Sequence, residues 1–376
     1  MLKKSIISTL LFIPFLMGCN QENNAHSMPD GISDIEVQTT TKPLLKGKRA
    51  DNLINIKLIP GKESEERLSA LEFTFDRDIQ NLFSEASISY SHTPPTNSRI
   101  ASTINAFDAQ TISFPLADIP VKDTTTLHLN LTTAKTIQLA SSIGIEELKL
   151  TFQDKSIYKT PINKKFRPGI EVRAAGQDNC DTYRIPGLVT TNEGTLIAVY
   201  DNRYTRSKDL QEHIDVGMSR STDGGETWEP MQVIMDKNEW GGEPEYRNGV
   251  GDPSVLYDPN TNTIWVAALW MHGFGRDQAS WWASQPGMKP SETGQFLMVK
   301  STDDGKTWSD PINITEQIKD PEWQLLLQGP GKGITLEDGT LVFPAQFKAD
   351  IGEKALDGGP FTPHSTIIHS KDGGET

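Results

Sequence analysis

The chain has 376 residues, with 36 lysines and arginines against 50 aspartates and glutamates, and a formal charge of −14 at pH 7. That balance excludes attraction to nucleic acid or to an anionic membrane surface as a global property, so any anion bound here must be gripped by local arginines. The length exceeds one ordinary domain and predicts a processed leader followed by two folded units.

The N-terminus opens Met-Leu-Lys-Lys, and an apolar run from Ile6 to Met17 precedes Gly18, Cys19 and a polar stretch. This pattern predicts a signal peptide over residues 1–19, too short to span a bilayer as a stable helix. Leu16, Met17, Gly18 and Cys19 resemble a bacterial lipobox, which implies lipidation of Cys19 and an exported protein anchored at the outer membrane; ordinary secretion is the alternative. Any membrane contact is expected through that anchor alone. With Cys19 lipidated, Cys180 has no partner for an internal disulfide, and it has no neighbouring His in sequence to make it a nucleophile.

Residues 20–45 are rich in Asn, Ser, Thr and Lys without periodicity and read as a linker. From 46 to 160 the period is two. Ile54, Ile56 and Leu58 alternate with Asn55 and Lys57; Leu71, Phe73 and Phe75 with Glu72 and Thr74; Leu148, Leu150 and Phe152 with Lys149 and Thr151. Many short alternating segments predict half-buried strands and an N-terminal β-sandwich. Pro161, Pro168 and the adjacent Lys164 and Lys165 mark a hinge around 159–169, with the second domain running from 165 to 376. There the strands continue, turning at Pro259-Asn260-Thr261-Asn262 and at Asp338-Gly339, and no amphipathic helix is evident.

Within the second domain STDGGETW (Ser221 to Trp228) is nearly repeated as STDDGKTW (Ser301 to Trp308), and SKDGGET begins at Ser370. From average residue usage the shared pattern has a chance frequency of about one in several million per starting position. Ser221, Asp223 and Gly225, like Ser301, Asp303 and Gly305 and like Ser370, Asp372 and Gly374, are turn-forming types. The short polar side chains bond nearby backbone N–H groups, glycine supplies positive φ, and Trp228 and Trp308 add an apolar anchor. Each complete copy follows an apolar strand, and a repeated unit of strand, turn and anchored strand is the signature of a propeller blade.

The repeat resembles the Asp box of the sialidase superfamily. In that family the box is a structural turn on the propeller's periphery, so Asp223 and Asp303 are read as turn formers rather than as a catalytic pair. The stretch DTYRIPGLVTTNEGTLIAVYDNRYTRSKD, residues 181–209, resembles the Arg-Ile-Pro segment that opens sialidase catalytic domains. By that resemblance Arg184 is the first of three arginines that clamp the substrate's carboxylate, Arg203 faces a sugar hydroxyl and Asp209 is the general acid/base. Asp252 then lines the pocket, with Trp270 and Met271 as apolar neighbours and Gln346 approaching the same centre.

The chemistry suits these residue types. A carboxylate on the anomeric carbon calls for a permanently charged, planar partner, which is Arg rather than Lys. The same carboxylate repels an Asp or Glu nucleophile, so such enzymes attack with a tyrosine. A loop Asp protonates the leaving oxygen and later activates water. Trp281 and Trp282 read as packing residues, GPGKG (329–333) lacks the spacing of a phosphate loop, and seven scattered histidines show no metal-ligand pattern. No metal or other cofactor is expected.

The likeness covers about residues 165–376, whereas six blades need on the order of 300–350 residues. The expected architecture is therefore all-β: an N-terminal β-sandwich, sialidase-associated and carbohydrate-binding, followed by a six-bladed propeller truncated to about three blades. The two remaining arginines, the activating Glu and the nucleophilic Tyr are expected after residue 376, so residues 20–376 alone are expected to be inactive, with unpaired edge strands that invite aggregation. The implied activity is that of a monomeric exo-α-sialidase acting on sialylated glycoproteins, glycolipids or oligosaccharides. A non-catalytic Asp-box lipoprotein that binds glycans is the second reading, separated from the first by whether Arg, Glu and Tyr are supplied downstream.

Overall fold

Alternation at period two buries every second side chain in the first half of the chain, and two antiparallel sheets close over the core that results. The computed structural model describes residues 28–93, 97–349, 352, 354 and 362–376. The expected signal peptide, Cys19 and the start of the expected linker lie outside the described residues. The chain divides into two compact units between Gly169 and Ile170.

In the first unit one sheet runs β1 (Ile32–Thr39), β3 (Arg49–Pro60), β8 (Thr125–Thr133), β5 (Phe83–His92) and β6 (Arg99–Ile104). The other runs β10 (Ile157–Phe166), β9 (Ile143–Phe152), β4 (Arg67–Phe75) and β7 (Thr111–Pro120). A short parallel pair, β2 (Leu44–Leu45) with β11 (Pro168–Gly169), completes it. Ile54, Ile56 and Leu58 share one buried core with Leu71, Phe73, Leu148 and Leu150, and Phe73 meets Phe114 edge to face at 6.5 Å between centroids. This is a β-sandwich.

Two expectations about its limits need correction. The linker ends before Ile32, because β1 pairs with β3 through backbone hydrogen bonds although it buries only Ile32 and Ile35. The expected hinge at 159–169 is mostly strand: β10 is an edge strand, the position in a sheet where proline is tolerated, and the register slips between Pro161 and Lys164.

The second unit contains three antiparallel sheets in chain order. The first is β12 (Thr182–Thr190), β13 (Leu196–Arg203), β14 (Ile214–Ser221) and β15 (Gln232–Met235). The second is β16 (Val250–Asp258), β17 (Thr263–Trp270), β18 (Gln295–Ser301) and β19 (Ile312–Asn313), with β21 (Gly331–Lys332) parallel to β16. The third joins β20 (Leu325–Gln328), β22 (Ile334–Thr335), β23 (Leu341–Lys348) and β24 (His364–Ser370). One apolar cluster spans the first and second sheets and another the second and third, so the sheets stack face to face as successive propeller blades. All eight residues of β14 and all eight of β17 are buried, because a blade's middle strands are covered on both faces. Among the described residues the α-helices are single turns, Ser280–Ala283 and Thr315–Ile318.

The two octapeptide turns and the seven-residue copy from Ser370 share one hydrogen-bond pattern. In the first, Ser221 Oγ accepts from the Gly225 N–H at 2.9 Å, and the Asp223 carboxylate accepts from the Thr227 N–H at 2.9 Å and the Thr227 hydroxyl at 2.6 Å. Ser301, Asp303 and Thr307 repeat this, as do Ser370, Asp372 and Thr376. The Thr227 hydroxyl and backbone N–H hold Asp223 down to about 2, so it stays an anion that caps its own turn. Gly305 lies at φ 80°, and a Cβ there meets Ile197 Cδ1 of the first blade at 2.7 Å. Gly305→Ala is expected to destabilise the second unit by about 1–3 kcal/mol, from overpacking added to backbone strain. Urea denaturation checks this, and an unchanged midpoint would contradict the packing described.

Candidate active site

Two inner strands carry the same irregularity. In β12 the register against β13 shifts between Arg184 and Gly187, and Ile185 stands at φ 57° immediately before Pro186. In β16 it shifts between Gly251 and Ser254, and Asp252 stands at φ 58° immediately before Pro253. Left-handed backbone at a β-branched residue is strained, and strain of this kind persists where the surroundings over-determine it. A bulge re-aims the side chain beside it, here those of Arg184 and Asp252. Pro-ended segments that read as a motif in one strand and as turn chemistry in the other are thus the same device.

The loop after β13 brings Asp209 back to these residues. Arg184 Nη1 donates to Asp209 Oδ1 at 3.0 Å and to the Ser207 carbonyl at 2.8 Å; Arg203 Nη1 donates to the same two oxygens at 2.8 and 2.7 Å. Arg203 Nε and Nη2 donate to Asp201 Oδ2 at 3.1 and 2.7 Å, and Asp201 Oδ1 accepts the Asp252 N–H at 2.8 Å. Asp201 and Arg203 lie two apart on β13 and so share a face, the one turned towards β16. Burial, and after it the Asp252 carboxylate, raise the Asp201 pKa, while Arg203 pulls it down. Burial also raises Asp252, opposed by the Arg203 charge. The side chains of Arg184 and Asp209 remain 43% and 66% exposed, so their contact is open to exchange with a ligand. They border a cavity of about 420 Å³.

The structure therefore joins Arg184, Arg203, Asp209 and Asp252. Arg203, expected to face a sugar hydroxyl, has a wholly buried side chain that donates to Asp201, Ser207 and Asp209, and so it also braces the Asp209 loop. Trp270 and Met271 are also buried, at 2% and 0% exposure, Trp270 because β17 is covered on both faces and Met271 just past the end of that strand. Trp270 packs in the core of the first two blades, while Met271 packs against Leu210 beneath the Asp209 loop. Gln346 is half-buried on β23 opposite Leu327 and Ser365 and makes none of the contacts that join the four. Two participants were missed. Asp201 was visible two positions before Arg203. Gln328, fully buried, gave no signal: its Nε2 donates to the Asp252 carbonyl at 2.5 Å from the third blade. Among the described residues no group of three or more His, Cys, Asp or Glu is placed to hold a metal ion.

Residues 185–376 match the BNR repeat-like domain family. The structure of a Hadza microbial sialidase, Hz136, aligns with 90% of this chain and 69% of its own, at a TM-score of 0.78 and 37% identity. The chain belongs to the sialidase family. A sialidase of Bacteroides fragilis (strain YCH46) is 53% identical over 240 residues, 63% of this chain and 42% of the relative. A sialidase of Paraclostridium sordellii is 30% identical over 203 residues, 53% of this chain and 46% of the relative. This member of the sialidase family thus spans less than half the length of those two curated relatives.

Tyrosines near the sialidase-family motif are engaged on the other face of the first blade. Tyr200 and Asn202 alternate with Asp201 and Arg203 and point away from β16. The Tyr200 hydroxyl bonds Ser219, and the Tyr183 hydroxyl donates to the Gln177 carbonyl and to Asp178. Burial pushes the Tyr183, Tyr200 and Tyr204 phenols up, the wrong direction for a nucleophile. Asp215, pushed up to about 8 by burial and then by Asp236, pairs in register with Asn202 and so lies on that same far face. The octapeptide turn after β14 sits at the opposite end of that strand from the Asp209 loop, roughly 23 Å away along extended backbone.

Proposed function

We propose that the full-length protein is an exo-α-sialidase that removes terminal α-linked sialic acids from glycoconjugates with retention of configuration. One observation carries this reading: the exposed Arg184 guanidinium holds the exposed Asp209 carboxylate at 3.0 Å beside an open cavity. A substrate carboxylate takes the place of Asp209 on Arg184. Asp209, still braced by Arg203, then turns a proton towards the leaving oxygen and later withdraws one from water. Two guanidiniums here already face the carboxyls of Asp201, Asp209 and Asp252, so binding a further carboxylate requires additional cations. The sialidase reading supplies such cations as two further arginines, and with them a tyrosine nucleophile and its activating Glu, none of them assigned within residues 1–376.

Proton NMR of sialyllactose hydrolysis by the full-length protein tests the proposal. α-Sialic acid is expected as the first product, mutarotating afterwards. β-Sialic acid first would overturn retention, and binding without hydrolysis would leave the glycan-binding lipoprotein as the better reading.

A further inference from the structure

The Asp209 loop is fastened to the loop that follows β17 by a buried acid that the reaction does not use. Glu212 is fully buried and pairs with two arginines, Arg206 through its Nε and Arg276 through Nε at 2.9 Å. Asp277 takes Arg206 Nη1 at 3.2 Å and the Lys208 ammonium at 3.4 Å. Around this junction Arg206, Lys208 and Arg276 face Glu212 and Asp277, leaving one positive charge in excess on a chain of net −14.

Of these three cations Arg276 pairs with Glu212 alone among the described residues. Its side chain is 48% exposed, its guanidinium lies 4.8 Å from the centroid of the exposed Tyr246 ring, and among the described residues Glu212 is its hydrogen-bond acceptor, through Nε alone. The terminal amino groups therefore remain available, in a plane set by a buried carboxylate on one side and an aromatic face on the other. Arg276 lines the same cavity as Arg184, Asp209 and Lys208. Arg184 belongs to the first strand of its blade and Arg276 to the loop after β17 of the next, and both line the cavity with Asp209. With Arg184 on the sialic acid carboxylate and Asp209 at the scissile bond, Arg276 on the wall of the same cavity is available to the leaving group.

We propose that Arg276 is a specificity-determining residue that grips an acidic group, sulfate or carboxylate, on the leaving-group side of the scissile bond, and that Glu212 is its positioning residue. This rests on the sialidase reading of the same site. A planar, pre-oriented guanidinium whose Nη1–Nη2 edge is free matches such an oxyanion bidentately, whereas a neutral sugar engages it weakly.

The test compares kcat/KM of the full-length protein on 3′-sialyllactose and on the same trisaccharide sulfated at galactose O6. Arg276→Gln is expected to lower the ratio of sulfated to neutral substrate by about tenfold or more, chiefly through KM. Arg276→Lys retains part of the ratio, and Glu212→Gln, which frees the guanidinium, lowers it as well. A merely structural role depresses both substrates together, so an unchanged ratio in Arg276→Gln would overturn the inference while leaving the sialidase function intact. Failure of the unmodified protein to hydrolyse either substrate would overturn the function itself and this inference with it.

Discussion

Asp209→Ala in the full-length protein is expected to lower kcat/KM for sialyllactose by about 10²–10⁴-fold, the usual contribution of a positioned proton donor. The loss should shrink for an activated aryl sialoside, whose leaving group departs with little help from an acid. Asp209→Asn sharpens the comparison, because its amide oxygen still accepts from Arg184 and Arg203, which hold Oδ1 at 3.0 and 2.8 Å, yet it carries no proton to give. If both variants fail only on poor leaving groups, proton transfer is the cause. If Ala fails equally on both substrates while Asn keeps full activity, Asp209 anchors the loop and donates nothing.

The second large effect concerns stability. Arg203→Met leaves Asp201 buried at 1% side-chain exposure without its partner, and breaking a buried pair from one side costs about 3–5 kcal/mol. Replacing both, as Asp201→Leu with Arg203→Met, should recover much of that. The sign of the pH dependence follows from the Asp201 shift. Its folded pKa is raised above the unfolded value, so the native state binds the proton more readily, and stability falls as pH climbs from the ordinary carboxylate range through the raised value. Losing Arg203 removes an interaction that lowers that pKa and so steepens the fall: Arg203→Met should be markedly more stable at pH 5 than at pH 8. Urea denaturation followed by tryptophan fluorescence measures both. A loss below about 1 kcal/mol, typical of exposed pairs, would contradict the buried bracing role.

What could be read from the chain was what lies close together in it. Each octapeptide turn is closed by bonds spanning at most four residues, as from Thr227 to Asp223, so composition and spacing alone revealed it. The sandwich strands showed themselves because one face of each is buried and the other solvated, which leaves a period of two. β1 and β10 escaped for the converse reason: ISDIEVQT and IYKTPINKKF bury few side chains and are recruited by backbone pairing, which leaves little trace in hydropathy.

The candidate site divides in the same way. Arg184 and Asp209 stood out through a motif and its spacing, but the burial of Arg203 did not, since a charged residue reads as exposed until its partners are known. Trp270 lies on a middle strand covered by sheets from both sides, Met271 is buried just past its end, and Gln328 reaches Asp252 from a different blade, 76 residues along the chain. The sequence by itself determined the strand periodicity, the repeated turns and the residue types able to meet an acid sugar. Tertiary structure alone decided which of them face solvent, which brace a loop from below, and that an arginine after β17 shares the Asp209 cavity. Those outcomes depend on how blades stack, and stacking is set by contacts between distant segments that no local pattern encodes.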